Sequence, residues 1–134
     1  MKSHPAVKNP VLTASDIDDY GDVTYVADPF LFVTDDRWHL FVEVFNADMS
    51  PDSVIGHATS SDGTSWQYSG VVLNTGFHVS FPYVFQWDRD HYMLPNQYWG
   101  YNDSPKRVSL YKGTPFPDQW TRVEDLVEPD HLVR

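Results

Sequence analysis

Short apolar runs separated by polar turns dominate the chain, and their spacing is that of β-strands. Sustained i, i+3, i+4, i+7 periodicity is absent, so almost no helix is expected. The pair Asp62-Gly63 is a strong hairpin signal, because both residue types tolerate a positive φ. Four strands are therefore predicted in the first half of the chain. They are expected at residues 30–33, 38–44 and 54–59, with a fourth ending near residue 73.

The same pattern returns 53 residues later, which indicates two copies of one structural unit. Residues 27–32 and 38–43 correspond to residues 80–85 and 91–96. A period near 50 residues, filled with short β-rich runs, is typical of β-propeller blades. The sequence therefore predicts an all-β single domain with two four-stranded antiparallel blades. The expected divisions are an N-terminal segment (1–22), blade 1 (23–77), blade 2 (78–128) and a tail (129–134).

Two blades are too few to close a propeller. A blade is apolar on both faces and needs a neighbour on each, and closed propellers usually contain about 4–8 blades. Isolated blades would also leave open sheet edges. The chain could self-associate, belong to a longer protein, or pair with a different chain. Self-association is the expectation, as a homo-oligomer that is a dimer or a trimer.

The composition narrows the class of partner. The chain has 134 residues, a net charge of −10 and no cysteine. The negative charge disfavours nucleic acids and anionic membranes and favours neutral ligands or cations. No apolar stretch reaches the roughly 18 residues of a membrane-spanning helix, and the first residues lack the apolar core of a signal peptide. These features favour a cytoplasmic protein without disulfides.

Asp28 and Glu43 are the two carboxyl groups that the strand pattern brings together. Asp28 is expected at the opening of an inner strand, and Glu43 at the end of the adjacent one. There they could deprotonate a water molecule or polarise a sugar hydroxyl. Glycoside hydrolysis requires carboxyl groups about 5–5.5 Å or 6.5–9.5 Å apart. The simpler interpretations are that Asp28 caps a turn before Pro29 and that Glu43 is a solvated strand end.

Four further residues are candidates for substrate binding. His78 precedes the second inner strand and could bind a hydroxyl or carry a proton. Asn96 occupies the repeat position of Glu43, where its amide can bind a ligand but cannot act as an acid or base. His57 lies in mid-strand and is more simply a packed residue. Trp99 belongs to an aromatic loop that could contact a ligand or another subunit.

No cofactor is predicted from the motifs. The sequence lacks the spacing of known metal-ligand sets and the glycine-rich loops that bind nucleotides. A calcium ion in a central channel is suggested only by the excess of carboxylates.

Four segments in order resemble the five-bladed β-propeller glycosidases, the clan that contains the family 43 arabinosidases and xylosidases and the family 32 fructosidases. The resemblance covers residues 9–127 and the first two of the family's five blades. It implies a carbohydrate ligand and a propeller fold. The segments are residues 26–30, 41–46, 78–85 and 92–96.

The resemblance implies a general base or nucleophile at Asp28, which matches the aspartate that opens the first blade. The clan's second aspartate falls at Phe81, and its general acid comes from a third blade. The expected function is therefore a glycoside hydrolase-like module that acts on or binds carbohydrate in a self-assembled channel, with Glu43 as the partner or acid of Asp28. The alternatives are a non-catalytic binding or scaffold propeller, or the N-terminal part of a split five-bladed hydrolase.

Overall fold

The computed structural model describes residues 7–97 and 106–127 and consists of two four-stranded antiparallel sheets. Each sheet is a meander, in which every strand pairs with the next one along the chain. The predicted all-β class with two four-stranded blades is confirmed. A single 3-10 turn, Ala14–Asp16, precedes the sheets. The strands are β1 (Tyr25–Val33), β2 (Trp38–Phe45), β3 (Ser53–Ser60), β4 (Gln67–Leu73), β5 (Ser80–Trp87), β6 (Asp90–Asn96), β7 (Val108–Gly113) and β8 (Trp120–Val127).

The first strand begins five residues earlier than predicted, because it continues through a β-bulge at Asp28 and Pro29. Ala27 pairs with Glu43 and Phe30 pairs with Phe41, so two residues of β1 lie opposite one residue of β2. Proline is tolerated at such a position because the ladder needs no N–H group there. Asp28 therefore lies inside the strand, with a φ of 49°, and does not open it.

Blade 2 repeats this bulge at Phe81 and Pro82. Ser80 pairs with Asn96 and Tyr83 pairs with Leu94, so the register shifts at the same place. Phe81 has a φ of 48°, a left-handed conformation that a bulky side chain rarely adopts. The 53-residue repeat is therefore a repeat of backbone conformation as well as of sequence.

The two sheets pack face to face through one apolar core. Phe41 and Ile55 of blade 1 are fully buried against Val84 and Met93 of blade 2. Trp120 closes this layer, with its ring edge-on to Phe41 at 5.7 Å between centroids. This core fixes the relative position of the blades and hence of the polar groups at the ends of their strands.

The N-terminal segment covers the other face of blade 1. Its buried side chains pack on the alternate residues of β2 and β3, those that point away from blade 2. Two hydrogen bonds from the outer strand attach the segment, since the Tyr68 hydroxyl and the Val71 amide both donate to the Asp19 carboxylate, at 2.7 and 2.8 Å. Blade 1 is thus covered on both faces within this chain. The packed residues are Leu12, Ile17, Tyr20 and Val23 with Leu40, Val42, Val44, Val54 and Ala58.

Blade 2 exposes aromatic side chains. The ring of Tyr83 on β5 lies edge-on to Phe30 of β1, with 5.2 Å between centroids, and Phe85 next to it stacks on Tyr92 of β6. Tyr83 is 43% exposed and Trp87, at the end of β5, is 71% exposed. The sequence led us to expect two open apolar faces, and within the described residues the N-terminal segment covers the one on blade 1.

Candidate functional site

The candidate site lies where the inner strands β1 and β5 begin, because β2 and β3 bring polar residues to the same end of the sheets. Pairing of Ala27 with Glu43 sets the Glu43 carboxyl group beside Asp28. The loop from β2 to β3 ends with Asp52, and β3 opens with Ser53. His78 reaches this group from the connection between the two blades. Four of the five side chains thus come from blade 1 and one from the connection to blade 2.

Glu43 is the buried centre of the site, with 5% of its surface exposed. Burial raises the pKa of its carboxyl group, and the nearby Asp28 carboxyl raises it further. A hydrogen bond with Ser53 and the proximity of His78 act in the opposite direction. The pKa of Glu43 is raised in sum, which favours the protonated acid.

The Ser53 hydroxyl group links Glu43 to the second blade connection. Its oxygen lies 2.6 Å from the Val79 carbonyl oxygen and 3.0 Å from Oε1 of Glu43. A hydroxyl has one proton to donate and a carbonyl can only accept. Ser53 therefore donates its proton either to the Val79 carbonyl or to the Glu43 carboxyl group.

Asp28 is the more accessible of the two carboxyl groups. It is partly buried, and its carboxyl group lies within hydrogen-bonding reach of Glu43. The left-handed bulge sets the direction of this side chain, and aspartate is among the residues that tolerate such a φ. The structure therefore brings together the two carboxyl groups that the sequence pairs.

His78 extends the group toward Asp52. Nδ1 of His78 lies 2.8 Å from Oδ1 of Asp52, and Nε2 lies 3.7 Å from Oε1 of Glu43. Because a carboxylate only accepts, Nδ1–H donates to Asp52, and this fixes the orientation of the ring. Asp52 and Ser53 were missed from the sequence. The sequence signal that could have identified them is their position at the start of β3, which lies at the same end of the sheet as Glu43.

The other predicted residues lie elsewhere. His57 is buried at the opposite half of the blade interface, with Nε2 hydrogen-bonded to Nδ1 of His39 at 2.9 Å, and it lines a different cavity, of about 400 Å³. Asn96 holds in blade 2 the place that Glu43 holds in blade 1, paired with Ser80. Trp99 lies outside the described residues.

Within residues 7–97 and 106–127, no three histidine, aspartate or glutamate side chains converge in a way suited to holding a metal ion. In the same residues, no helix is long and apolar enough to span a bilayer.

The arrangement is suited to binding hydroxyl groups. Asp28 offers acceptor oxygens at the accessible side, and Glu43 and the His78 ring lie behind it.

Two solved structures share the fold at low sequence identity. A family 117 glycoside hydrolase from Zobellia galactanivorans superposes with a TM-score of 0.59 at 19% identity, covering 81% of this chain and 41% of the hydrolase. A family 32 β-fructofuranosidase from Bombyx mori gives 0.60 at 16% identity, covering 87% and 26%. They support the propeller fold that the resemblance implied.

The relatives that are similar in sequence are named as transferases and not as hydrolases. Proteins named glucosamine inositolphosphorylceramide transferase 1 are 36% identical over 124 residues in Oryza sativa subsp. indica and 34% identical over 129 residues in Arabidopsis thaliana. These matches cover 91% and 95% of this chain, which spans 16% of the length of either relative. Residues 2–133 match the family model "Glucosamine inositolphosphorylceramide transferase 1, N-terminal". The chain therefore belongs to the family of glucosamine inositolphosphorylceramide transferase 1 N-terminal regions.

Proposed function

We propose that this chain is a carbohydrate-recognition part of a glycosyltransferase and binds a sugar or cyclitol ring at Asp28. The relatives' name refers to glucosamine and to inositolphosphorylceramide, and the rings of both carry several hydroxyl groups. A carboxylate that accepts hydrogen bonds from such hydroxyls is a common means of fixing a sugar. The expected ligand is therefore a hydroxyl-rich ring of this kind.

The observation that carries the proposal is the contact between the Asp28 and Glu43 carboxyl groups. The raised pKa of Glu43 favours a pair that carries one negative charge over a pair that carries two. Asp28 then accepts from a ring hydroxyl, while Glu43 and its partner Ser53 hold it from behind. The hydrogen bond between His78 and Asp52 orients the imidazole ring at the back of the site.

Glycoside hydrolysis is the second candidate, because burial raises the pKa of Glu43 as a general acid requires. In this case Asp28 would be the base and Glu43 the acid. A self-assembled channel has an additional requirement. A ring of copies would pack blade 1 of one copy on blade 2 of the next, so the segment containing Leu12 and Ile17 would have to leave its place on blade 1.

Binding of glucosamine and of myo-inositol, followed by NMR chemical shifts in a titration, tests the proposal. Asp28→Asn removes the charged acceptor and should weaken binding about tenfold or more, the usual effect of losing a charge-assisted hydrogen bond. Asp35→Asn is the matched control, since Asp35 is exposed at the opposite end of β1. Equal affinity in Asp28→Asn and the unaltered protein would contradict a role for Asp28.

Glu43→Gln separates binding from hydrolysis. The amide has the shape of the acid and keeps an oxygen that accepts from Ser53, so a binding site should retain its affinity. A hydrolase that uses Glu43 as its acid would lose turnover of aryl glycosides. Turnover by the unaltered protein that disappears in Glu43→Gln would establish the second candidate over the first.

A further inference from the structure

A second polar cavity lies between the outer parts of the two blades and contains two arginines. It has a volume of about 280 Å³, and Arg107 and Arg122 line it together with Thr75 and Trp120. The chain has 9 lysines and arginines and a net charge of −10. Two guanidinium groups in one cleft are therefore a local reversal of the overall charge.

One carboxylate serves both arginines. Nη1 of Arg122 lies 3.2 and 3.0 Å from the two oxygens of Asp125, whereas Nε of Arg107 lies 3.8 Å from Oδ1. The same Oδ1 accepts a hydrogen bond of 2.6 Å from the Ser109 hydroxyl. Within residues 7–97 and 106–127, the ion pairs of this cluster join two guanidinium groups to one carboxylate, an excess of one positive charge.

Arg107 has an unused donor. Its Nε atom is buried and forms no hydrogen bond, and a buried donor without an acceptor is unfavourable. The Asp125 oxygen is too distant to accept from it. The side chain as a whole remains 32% exposed, and that of Arg122 is 49% exposed, so a ligand from solvent has access to the guanidinium groups.

We propose that this cavity binds a phosphate group carried by a small molecule. Guanidinium groups present several N–H donors in a planar fork that matches the oxygens of a phosphate. The excess positive charge at the cluster suits an anion, in contrast to the carboxyl site, which suits neutral hydroxyls. This site uses none of the residues of the proposed sugar site, so either proposal can fail without the other.

Titration with inorganic phosphate at constant ionic strength tests the proposal, with amide NMR shifts as the readout. Phosphate should shift signals around Arg107 and Arg122, and Arg122→Gln should weaken binding about tenfold, as expected for a charge-assisted contact. Arg37→Gln is the matched control, because Arg37 is exposed at the opposite end of the sheets. Absence of binding, or equal binding in Arg122→Gln and the unaltered protein, would overturn the proposal.

Asp125→Asn is expected to act in the opposite direction. It removes the carboxylate that competes with the ligand and keeps an oxygen to accept from Ser109, so phosphate binding should become tighter. Weaker binding in this variant would mean that the arginines are not the phosphate ligands and would count against the site.

Two carriers of the phosphate group are distinguished by parallel measurements. Glucose 6-phosphate, with glucose as its uncharged counterpart, represents a soluble sugar phosphate. Vesicles of phosphatidylinositol in phosphatidylcholine, with pure phosphatidylcholine as the reference, represent a lipid headgroup. If Arg122→Gln abolishes binding in one of these assays, the result supports the site and identifies the carrier. If the variant binds as well as the unaltered protein in both assays, the proposal is overturned.

Discussion

Blade 1 and blade 2 have the same backbone irregularity but present different chemistry at it. Asp28 and Phe81 occupy matching bulges with nearly equal φ values of 49° and 48°. The residues that pair beside them across the sheet are Glu43 in blade 1 and Asn96 in blade 2. The bulge is therefore a property of the blade, whereas the carboxyl pair is a property of blade 1 alone. Shared conformation does not imply shared function.

The blades also differ in how their outer faces are covered. In blade 1 the N-terminal segment packs over Leu40, Val42 and Val44. In blade 2 Tyr83 and Trp87 of β5 are exposed. Within the described residues, one apolar cluster lies between the blades and another lies under the N-terminal segment.

The largest expected change in the free energy of unfolding comes from a substitution in the apolar core between the two blades. Phe41→Ala removes a fully buried ring that contacts Trp120 and Phe116 of blade 2. It should lower the free energy of unfolding by about 3–5 kcal/mol, as measured by urea denaturation. Trp87→Ala, at an exposed position of blade 2, should change it by less than about 0.5 kcal/mol. Similar losses in the two variants would contradict the assignment of this layer as the common core.

Acid should destabilise the layer between the blades through His57. Burial lowers the pKa of His57 to about 4, with a smaller contribution from His39. The unfolded chain, with a histidine pKa near 6.5, binds the proton more readily, so stability falls as the pH falls from about 6.5 to 4. The contribution is about 2 kcal/mol between pH 7.5 and pH 5.

Denaturation of His57→Gln over the same pH range checks this expectation. The variant loses the hydrogen bond with His39 and should be less stable at pH 7.5, but its stability should depend less on pH. Blade 2 has Tyr111 at the repeat position of His57, and a phenol does not titrate in this range. An unchanged pH dependence in the variant would assign the effect to other groups.

The smallest expected change in the free energy of unfolding comes from a substitution at the β-bulge that both blades contain. Phe81 is bulky, has a positive φ and is 58% exposed, so little burial offsets its strain. Phe81→Asn should raise the free energy of unfolding by about 1 kcal/mol, because asparagine tolerates this conformation. Phe81→Leu retains the strain and serves as the control. A gain of equal size in both variants would assign the effect to the exposed ring and not to the backbone.

Much of the candidate site follows from strand pairing. Asp28 and Glu43 lie on neighbouring strands of a hairpin whose register the hydrophobic pattern sets, so their proximity could be predicted. The contact of His78 with Asp52 joins residues 26 positions apart and depends on how blade 2 packs against blade 1. A polar loop residue such as Asp52 carries no periodic signal, and it was therefore missed.

The sequence by itself determined the two-blade repeat, the all-β class and the loss of carboxylates in the second copy, because these depend on local patterns and on comparison of the chain with itself. Only the tertiary structure decided which loops meet at Glu43, that the N-terminal segment covers blade 1, and that Arg107 and Arg122 share Asp125. These contacts join segments whose patterns of hydrophobic and polar residues are unrelated. They arise when the core formed by Phe41 and its neighbours fixes one sheet against the other, and side-chain spacing along the chain does not encode that geometry.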